Sequence, residues 1–315
     1  MKVLAVRTVS VAKAKFHLSD NLTRAELATQ GRQRGFTLVE LVMVIVLMGV
    51  IGGMVAVFMK SPIDAYVAGG RRAALTDVAD TVVRRMARDI QRALPNSIRS
   101  AGDQCVEFIP TKAGGRYREA GSGALDFTTA ATSFNMLGSN DVLPADQKIA
   151  NGDLVAIFNL GISGADAYAA DNTSAISADP GVAGTPPETA ITLESGGKKF
   201  PFESPSRRFH VIASNEQVVR YVCVGAAGLT DLDANGRGKG TLYRQVLALP
   251  LAASACPSTA PTAAVAVMAM NVSACSFDYS GPDLQRNALV SMTLSITDSS
   301  ETVSLRHDVH VSNEP

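Results

Sequence analysis

The sequence predicts an α+β fold in which one long N-terminal helix packs on an antiparallel β-sheet head. Two observations predict it. Residues 36–59 are almost wholly apolar and are followed by apolar residues at helical spacing, whereas the chain beyond Pro95 contains many short segments with strand character. With 315 residues, the chain is long enough to bury one sizeable core.

Residues 1–35 are interpreted as a leader that is removed, because they lack a sustained apolar period and concentrate basic residues. They end in Gly31-Arg32-Gln33-Arg34-Gly35. The formal net charge of the whole chain is zero, so its charge balance indicates no nucleic-acid partner.

Residues 36–59 predict a transmembrane helix in which Glu40 is the only ionisable side chain. At about 1.5 Å per residue, this run is long enough to cross the roughly 30 Å hydrocarbon core of a bilayer. Arg32 and Arg34 precede the run and only Lys60 follows it closely. The positive-inside rule therefore predicts a single pass through a bacterial inner membrane, with the leader in the cytoplasm and the head in the periplasm.

Residues 60–95 predict an amphipathic periplasmic helix, nearly continuous with the first, that Pro62 starts or kinks and Pro95 ends. Its apolar positions recur every three or four residues: Leu75, Val78, Ala79, Val82, Met86, Ile90 and Leu94. The arginine-rich opposite face is interpreted as a solvated helix face.

Residues 96–315 predict a β-rich periplasmic head. Its expected strands are 105–109, 154–158, 209–212, 217–224, 240–244, 274–279, 289–296 and 303–311. The Gly-, Ala-, Ser- and Pro-rich segments 161–189 and 250–266 are expected to be loops.

The four cysteines are Cys105, Cys223, Cys256 and Cys275. None lies in a Cys-x-x-Cys motif or beside a histidine that would complete a zinc site. In an oxidising periplasm they predict two disulfides, with three possible connectivities; in a cytosolic protein they would be buried free thiols.

Glu40 requires an explanation, because an acid at the centre of a membrane helix costs at least about 2.5 kcal/mol. An ordinary signal anchor would let Glu40 reach the cytoplasmic interface. A cleaved secretory signal peptide fits less well, because the apolar run is too long and no small-x-small site follows it.

The segment Gly35-Phe36-Thr37-Leu38-Val39-Glu40, with its basic flank and apolar run, closely resembles the processing site of type IV prepilins and type II secretion pseudopilins. The resemblance implies a pilin-like fold, cleavage between Gly35 and Phe36 by a membrane-bound prepilin peptidase, and N-methylation of Phe36 by the same enzyme. It also implies that Glu40 serves assembly by pairing with the Phe36 ammonium of a neighbouring subunit. The expected partners are this peptidase and methylase, other major and minor pilin subunits, and inner-membrane lipid.

Several head segments resemble the MshO family of MSHA pilus biogenesis proteins, which is similar to the J-type minor pseudopilins of type II secretion. They are residues 84–97, 105–108, 114–117, 220–223, 242–244 and 309–315. This resemblance implies a minor pilin near the filament tip that helps to initiate assembly. The alternatives are a minor pseudopilin of type II secretion and a signal-anchored periplasmic enzyme or sensor.

A metal site is suggested by Asp231, Asp233 and Asn235, which match the opening of a calcium loop. Leu242 stands where such a loop needs a glutamate, and a hairpin turn at Asn235-Gly236 explains the segment more simply. We therefore expect no metal and no cofactor.

The histidines suggest no catalytic or metal site either. A separation of three places His307 and His310 on opposite faces of a strand, and His210 stands alone in another strand. Because the sequence also lacks a nucleophile elbow and a phosphate loop, we expect no enzymatic activity.

Overall fold

The computed structural model describes residues 35–100, 102–183, 187–280 and 287–315. The predicted leader, apart from Gly35, lies outside the described residues, as do the flanking residues Arg32 and Arg34. The chain divides after Lys60 into two compact units.

The long helix, α1, begins at Leu38 and ends at Gln91. It runs through Pro62, although proline has no N–H with which to bond the preceding turn. The predicted continuation to residue 95 is wrong. The Leu94 N–H donates instead to the Ile109 carbonyl at 2.7 Å, and a residue before proline, as Leu94 is, disfavours helical backbone.

Thirteen strands follow the helix among the described residues. They are β1 Cys105–Phe108, β2 Ala113–Arg116, β3 Ser133–Met136, β4 Leu154–Ala156, β5 Thr173–Ala175, β6 Gly181–Ala183, β7 Glu188–Thr192, β8 Arg208–Ile212, β9 Val218–Val224, β10 Gly240–Leu247, β11 Val265–Ser280, β12 Asn287–Asp298 and β13 Glu301–Ser312.

The main sheet has the order β1-β9-β10-β11-β12-β13, and every neighbouring pair is antiparallel. The C-terminal half of α1 packs on this sheet through Val82, Met86 and Ile90, which share a buried cluster with Phe108 and Tyr221. The α+β prediction is therefore confirmed. Within the predicted apolar stripe, Val78 is the exception, since it is exposed.

Two smaller antiparallel sheets complete the head, with the orders β2-β8-β4-β5 and β3-β7-β6. They enclose a second core, in which the rings of Phe134 and Phe209 meet edge to face at 5.3 Å. The prediction that 161–189 is a loop is wrong, because this segment contains β5 and β6 and the start of β7. The segment 250–266 likewise ends within β11. These strands are short or rich in Gly and Ala, so they lack the alternation of larger apolar and polar residues that identifies a strand.

The end of α1 is joined to the main sheet by buried charges. The Asp89 carboxylate accepts a hydrogen bond from the Tyr221 hydroxyl at 2.7 Å and another from Arg244 Nε at 3.0 Å. Arg92 contacts the other carboxylate oxygen at 3.1 Å, and Arg244 also pairs with Glu216. Burial alone would raise the pKa of Asp89, but the hydrogen bonds from Tyr221 and Arg244 and the arginine charges together hold it below its usual range.

Candidate processing and assembly site

The predicted processing site lies at the start of α1. Gly35, Phe36 and Thr37 precede the first helical residue and belong to no helix or strand. The peptide bond between Gly35 and Phe36 is therefore outside the helical hydrogen-bond pattern, and the Phe36 side chain is 80% exposed. Gly35 has no atom near the position that a Cβ would occupy. A non-helical, unobstructed segment of this kind suits binding in the active site of a peptidase.

Thr37 caps the helix, a role that the sequence reasoning missed. Its hydroxyl oxygen accepts a hydrogen bond from the Glu40 N–H at 3.2 Å, and its carbonyl accepts one from the Leu41 N–H at 3.1 Å. The signal was present in the sequence, because a threonine followed three residues later by a glutamate is the pattern of a capping box. The motif thus places the helix start directly after the predicted cleavage point.

Glu40 lies in the first turn of α1, where the positive end of the helix dipole favours an acidic side chain. The residue is exposed, and within the described residues its carboxylate has no ion pair or hydrogen bond. Neighbouring apolar side chains are equally open, with Leu38 79% and Leu41 56% exposed. A carboxylate in such surroundings is available to a cation supplied by another molecule.

The apolar part of α1 is exposed throughout. From Leu38 to Lys60 every residue is exposed, and the backbone rise of about 1.5 Å per residue makes this part long enough to cross a bilayer. By length and composition, α1 is the one helix among the described residues that could do so. Gly49, Gly52 and Gly53 leave open space on its surface, which would allow another helix to approach closely.

The four cysteines form two disulfides. One joins Cys105 in β1 to Cys256 in the segment before β11, and the other joins Cys223 in β9 to Cys275 in β11. The Cα atoms of these pairs are 5.7 and 6.3 Å apart, respectively. This is one of the three connectivities that the sequence left open.

The segment that matches the opening of a calcium loop forms a tight turn held by its own polar groups. One oxygen of Asp233 accepts hydrogen bonds from the N–H groups of Asn235 and Arg237, both at 2.8 Å, while Asp231 pairs with Lys239. Gly236 takes a positive φ of 69°, as the proposed hairpin turn requires. The described residues contain no group of three or more His, Cys, Asp or Glu side chains arranged to hold a metal ion.

The three histidines named above do not come together. His307 and His310 lie on β13 opposite Met292 and Leu289, and both are exposed. His210 lies on β8 and is largely buried, and burial together with the nearby Arg208 charge lowers its pKa to about 4. Among the described residues, its Nε2 atom has no hydrogen-bond partner.

Comparison with known proteins agrees with the geometry at the start of α1. Residues 30–56 match the family model of the prokaryotic N-terminal methylation motif. Searches of the curated proteins and of the solved structures found no match to the chain. The matched segment contains the Gly35-Phe36 bond, the capping Thr37 and Glu40. This motif indicates a precursor of a type IV pilin-like or pseudopilin subunit, membrane-anchored by its apolar helix and processed by a prepilin peptidase.

Proposed function

We propose that the chain is a minor pilin of an MSHA-like type IV pilus, a structural subunit that acts near the filament tip to initiate assembly and has no enzymatic activity. The observation that carries the proposal is the methylation motif at the head of a fully exposed apolar helix. The resemblance of several head segments to the MshO family supports the finer assignment.

The exposed helix gives a physical reason for assembly. Fully burying a large apolar side chain is worth about 1.5–3 kcal/mol relative to leaving it in water, so residues 38–59 require either lipid or neighbouring helices around them. A precursor would keep this helix in the inner membrane, with its N-terminus in the cytoplasm. A filament would surround the same surface with the helices of other subunits.

Glu40 supplies a specific contact in that filament. Cleavage after Gly35 creates an amino group on Phe36, and methylation leaves this amine cationic. The unpaired Glu40 carboxylate of one subunit then accepts the Phe36 ammonium of its neighbour, because pairing offsets the cost of burying both charges away from water. This contact sets the axial position of one helix against the next.

The first experiment is mass spectrometry of the mature N-terminus in cells that contain the prepilin peptidase. We expect a chain that begins with N-methylated Phe36. A membrane protein that retains residues 1–35 would instead support the competing class, a signal-anchored periplasmic enzyme or sensor. Cells without the peptidase should accumulate the uncleaved form.

The second experiment separates processing from assembly. We expect Glu40→Ala to be cleaved and methylated normally but to be largely lost from sheared filaments. Asp64→Asn is the matched control, since Asp64 is an exposed acid on the same helix beyond the apolar run. Incorporation of Glu40→Ala at the level of Asp64→Asn would refute the proposed pairing.

The methylation motif is common to pilins and pseudopilins, so a minor pseudopilin of type II secretion remains the second candidate. Deletion of the gene distinguishes the two. Loss of surface pili with normal export of secreted enzymes supports the pilin, and the reverse result supports the pseudopilin.

A further inference from the structure

Two arginines lie directly opposite each other at the edge of the sheet β2-β8-β4-β5. Arg116 on β2 and Arg208 on β8 are paired in the antiparallel register, and both are exposed. Like charges directly opposite on neighbouring strands destabilise a sheet. A bound anion would remove this repulsion between the two exposed guanidinium groups.

No counter-charge compensates this pair within the part of the chain that the structure describes. Neither guanidinium has an ion pair or a hydrogen bond there. The contrast with nearby arginines is clear, because Arg118 pairs with Glu188 and Arg207 pairs with Glu119. The fold therefore neutralises the arginines next to these two in sequence and leaves the cross-strand pair uncompensated.

The two arginines border a cleft of about 260 Å³. Its lining also includes Gly114, Gly115, Phe209 and His210. Gly114 lies opposite His210, one pair along the same face from the arginines. A Cβ on Gly114 would stand 3.0 Å from the Phe209 carbonyl oxygen and 3.7 Å from His210 Nδ1, so the missing side chain keeps this part of the cleft open.

The charges around the cleft leave it positive at neutral pH. The lowered pKa of His210 keeps the imidazole neutral, so it contributes hydrogen-bonding capacity and no charge. Lys112, which directly precedes β2, is neutralised by Asp153 at 2.6 Å. The two guanidinium groups are therefore the charged groups that line the cleft.

We propose that Arg116 and Arg208 form a binding site for an oxyanion, a phosphate, sulfate or carboxylate group, which sits between the two guanidinium groups above Gly114. Guanidinium groups donate paired N–H bonds that match the oxygens of such anions. A bound anion converts the repulsion between the arginines into two attractions. The cleft is open and small, so it accommodates a single anionic group, either free or at the end of a larger ligand.

The site differs from the other arginine pair in the head, Arg99 and Arg220. Those two share the buried Glu107 carboxylate, with Arg99 Nε and Arg220 Nε at 2.5 and 2.7 Å from its two oxygens. That cluster already holds its own anion. The Arg116 and Arg208 pair lacks the corresponding carboxylate, and the proposed ligand takes its place.

The test uses the full-length protein in detergent. The thermal unfolding midpoint is measured in sodium phosphate, sulfate, acetate and chloride at equal ionic strength, and ³¹P NMR line width reports direct phosphate binding to the folded protein. We expect at least one oxyanion to raise the midpoint above its value in chloride. Sulfate and phosphate also stabilise folded proteins in general, so the anion whose effect on the midpoint falls most in Arg116→Gln and Arg208→Gln identifies the group that the site prefers.

Variants make the test specific. Arg116→Gln and Arg208→Gln should each weaken oxyanion binding about tenfold or more, which corresponds to losing one charge-assisted contact. In chloride alone, both variants should be at least as stable as the parent protein, because each removes the repulsion. Arg85→Gln is the matched control, since Arg85 is an exposed arginine on α1 that has no partner among the described residues.

Three results would overturn the proposal. The first is that none of the three oxyanions shifts the midpoint or broadens the ³¹P line. The second is that Arg116→Gln and Arg208→Gln retain the binding of the parent protein. The third is that Arg85→Gln loses the same binding, which would indicate a general effect of net charge. None of these outcomes bears on processing at Gly35.

Discussion

Asp89 is predicted to contribute most of the polar attachment between the end of α1 and the main sheet. Asp89→Ala removes the carboxylate that accepts from Tyr221 and Arg244 and leaves both partners in place. Tyr221 is fully buried, and the side chain of Arg244 is 10% exposed. Neither group can recover its lost hydrogen bond from water without a local opening of the structure.

The magnitude follows from this burial. Removing one partner of a buried ion pair costs about 3–5 kcal/mol, and Arg244 retains Glu216, so we expect a loss near the lower end, about 3 kcal/mol. For a folded unit of this size, such a loss lowers the thermal midpoint by about 6–12 °C. Asp89→Asn keeps an acceptor for Tyr221 and should lose less.

The assay is thermal and urea unfolding of the full-length protein in detergent, followed by circular dichroism. Asp80→Ala is the matched control, because Asp80 pairs with Arg84 on the exposed side of the same helix and surface pairs contribute little. If Asp89→Ala were no less stable than Asp80→Ala, the assignment of Asp89 as the anchor would be refuted.

Three further predictions concern pH, the disulfides and calcium. Folding lowers the pKa of Asp89, so the ionised carboxylate stabilises the fold at pH values above the unfolded pKa of about 3.9. This stabilisation is lost as the pH falls through the lower folded pKa. The difference in the free energy of unfolding between the parent protein and Asp89→Asn should therefore narrow below about pH 4. Replacing Cys105 and Cys256 with serine should destabilise the head by about 5 kcal/mol, because this disulfide joins residues 151 positions apart. Replacing Cys223 and Cys275, which are 52 positions apart, should cost about 4 kcal/mol. The longer closed loop restricts the unfolded chain more. Urea unfolding measures both losses, and equal losses for the two pairs would contradict the loop-entropy account. Neither calcium nor a chelator should change the thermal midpoint. The Asp233 carboxylate already accepts hydrogen bonds from two backbone N–H groups, and Asp231 already pairs with Lys239. A midpoint that rises with calcium would instead support a metal site.

The parts of the fold that the sequence predicted are those with a local periodic pattern. Val82, Met86 and Ile90 recur at helical spacing, and the structure buries all three against the sheet. Strands were also expected at the positions of β1, β4, β8, β9, β10, β12 and β13 and in the second half of β11, because these segments contain enough large apolar residues to show strand character. The strands β2, β3, β5, β6 and β7 were missed, since they have only three to five residues each, most of them small or polar, and show too little of such a pattern.

The sequence also did not predict which polar residues are buried. Asp89 gives no sign of its burial in the sequence, because it stands among exposed arginines on an amphipathic helix. Its partners Tyr221 and Arg244 lie 132 and 155 residues further along the chain. No pattern within a short window can report a contact over that distance.

The sequence by itself determined the membrane anchor and the processing motif, because Gly35, Phe36, Thr37, Glu40 and the apolar run act through neighbours within a few residues of each other. Only the tertiary structure decided which cysteines pair and which charges meet across the sheets. Arg116 and Arg208 stand opposite each other because the register of β2 and β8 joins segments far apart in the chain. That register depends on how the buried side chains of the head pack, and packing is a property of the whole fold.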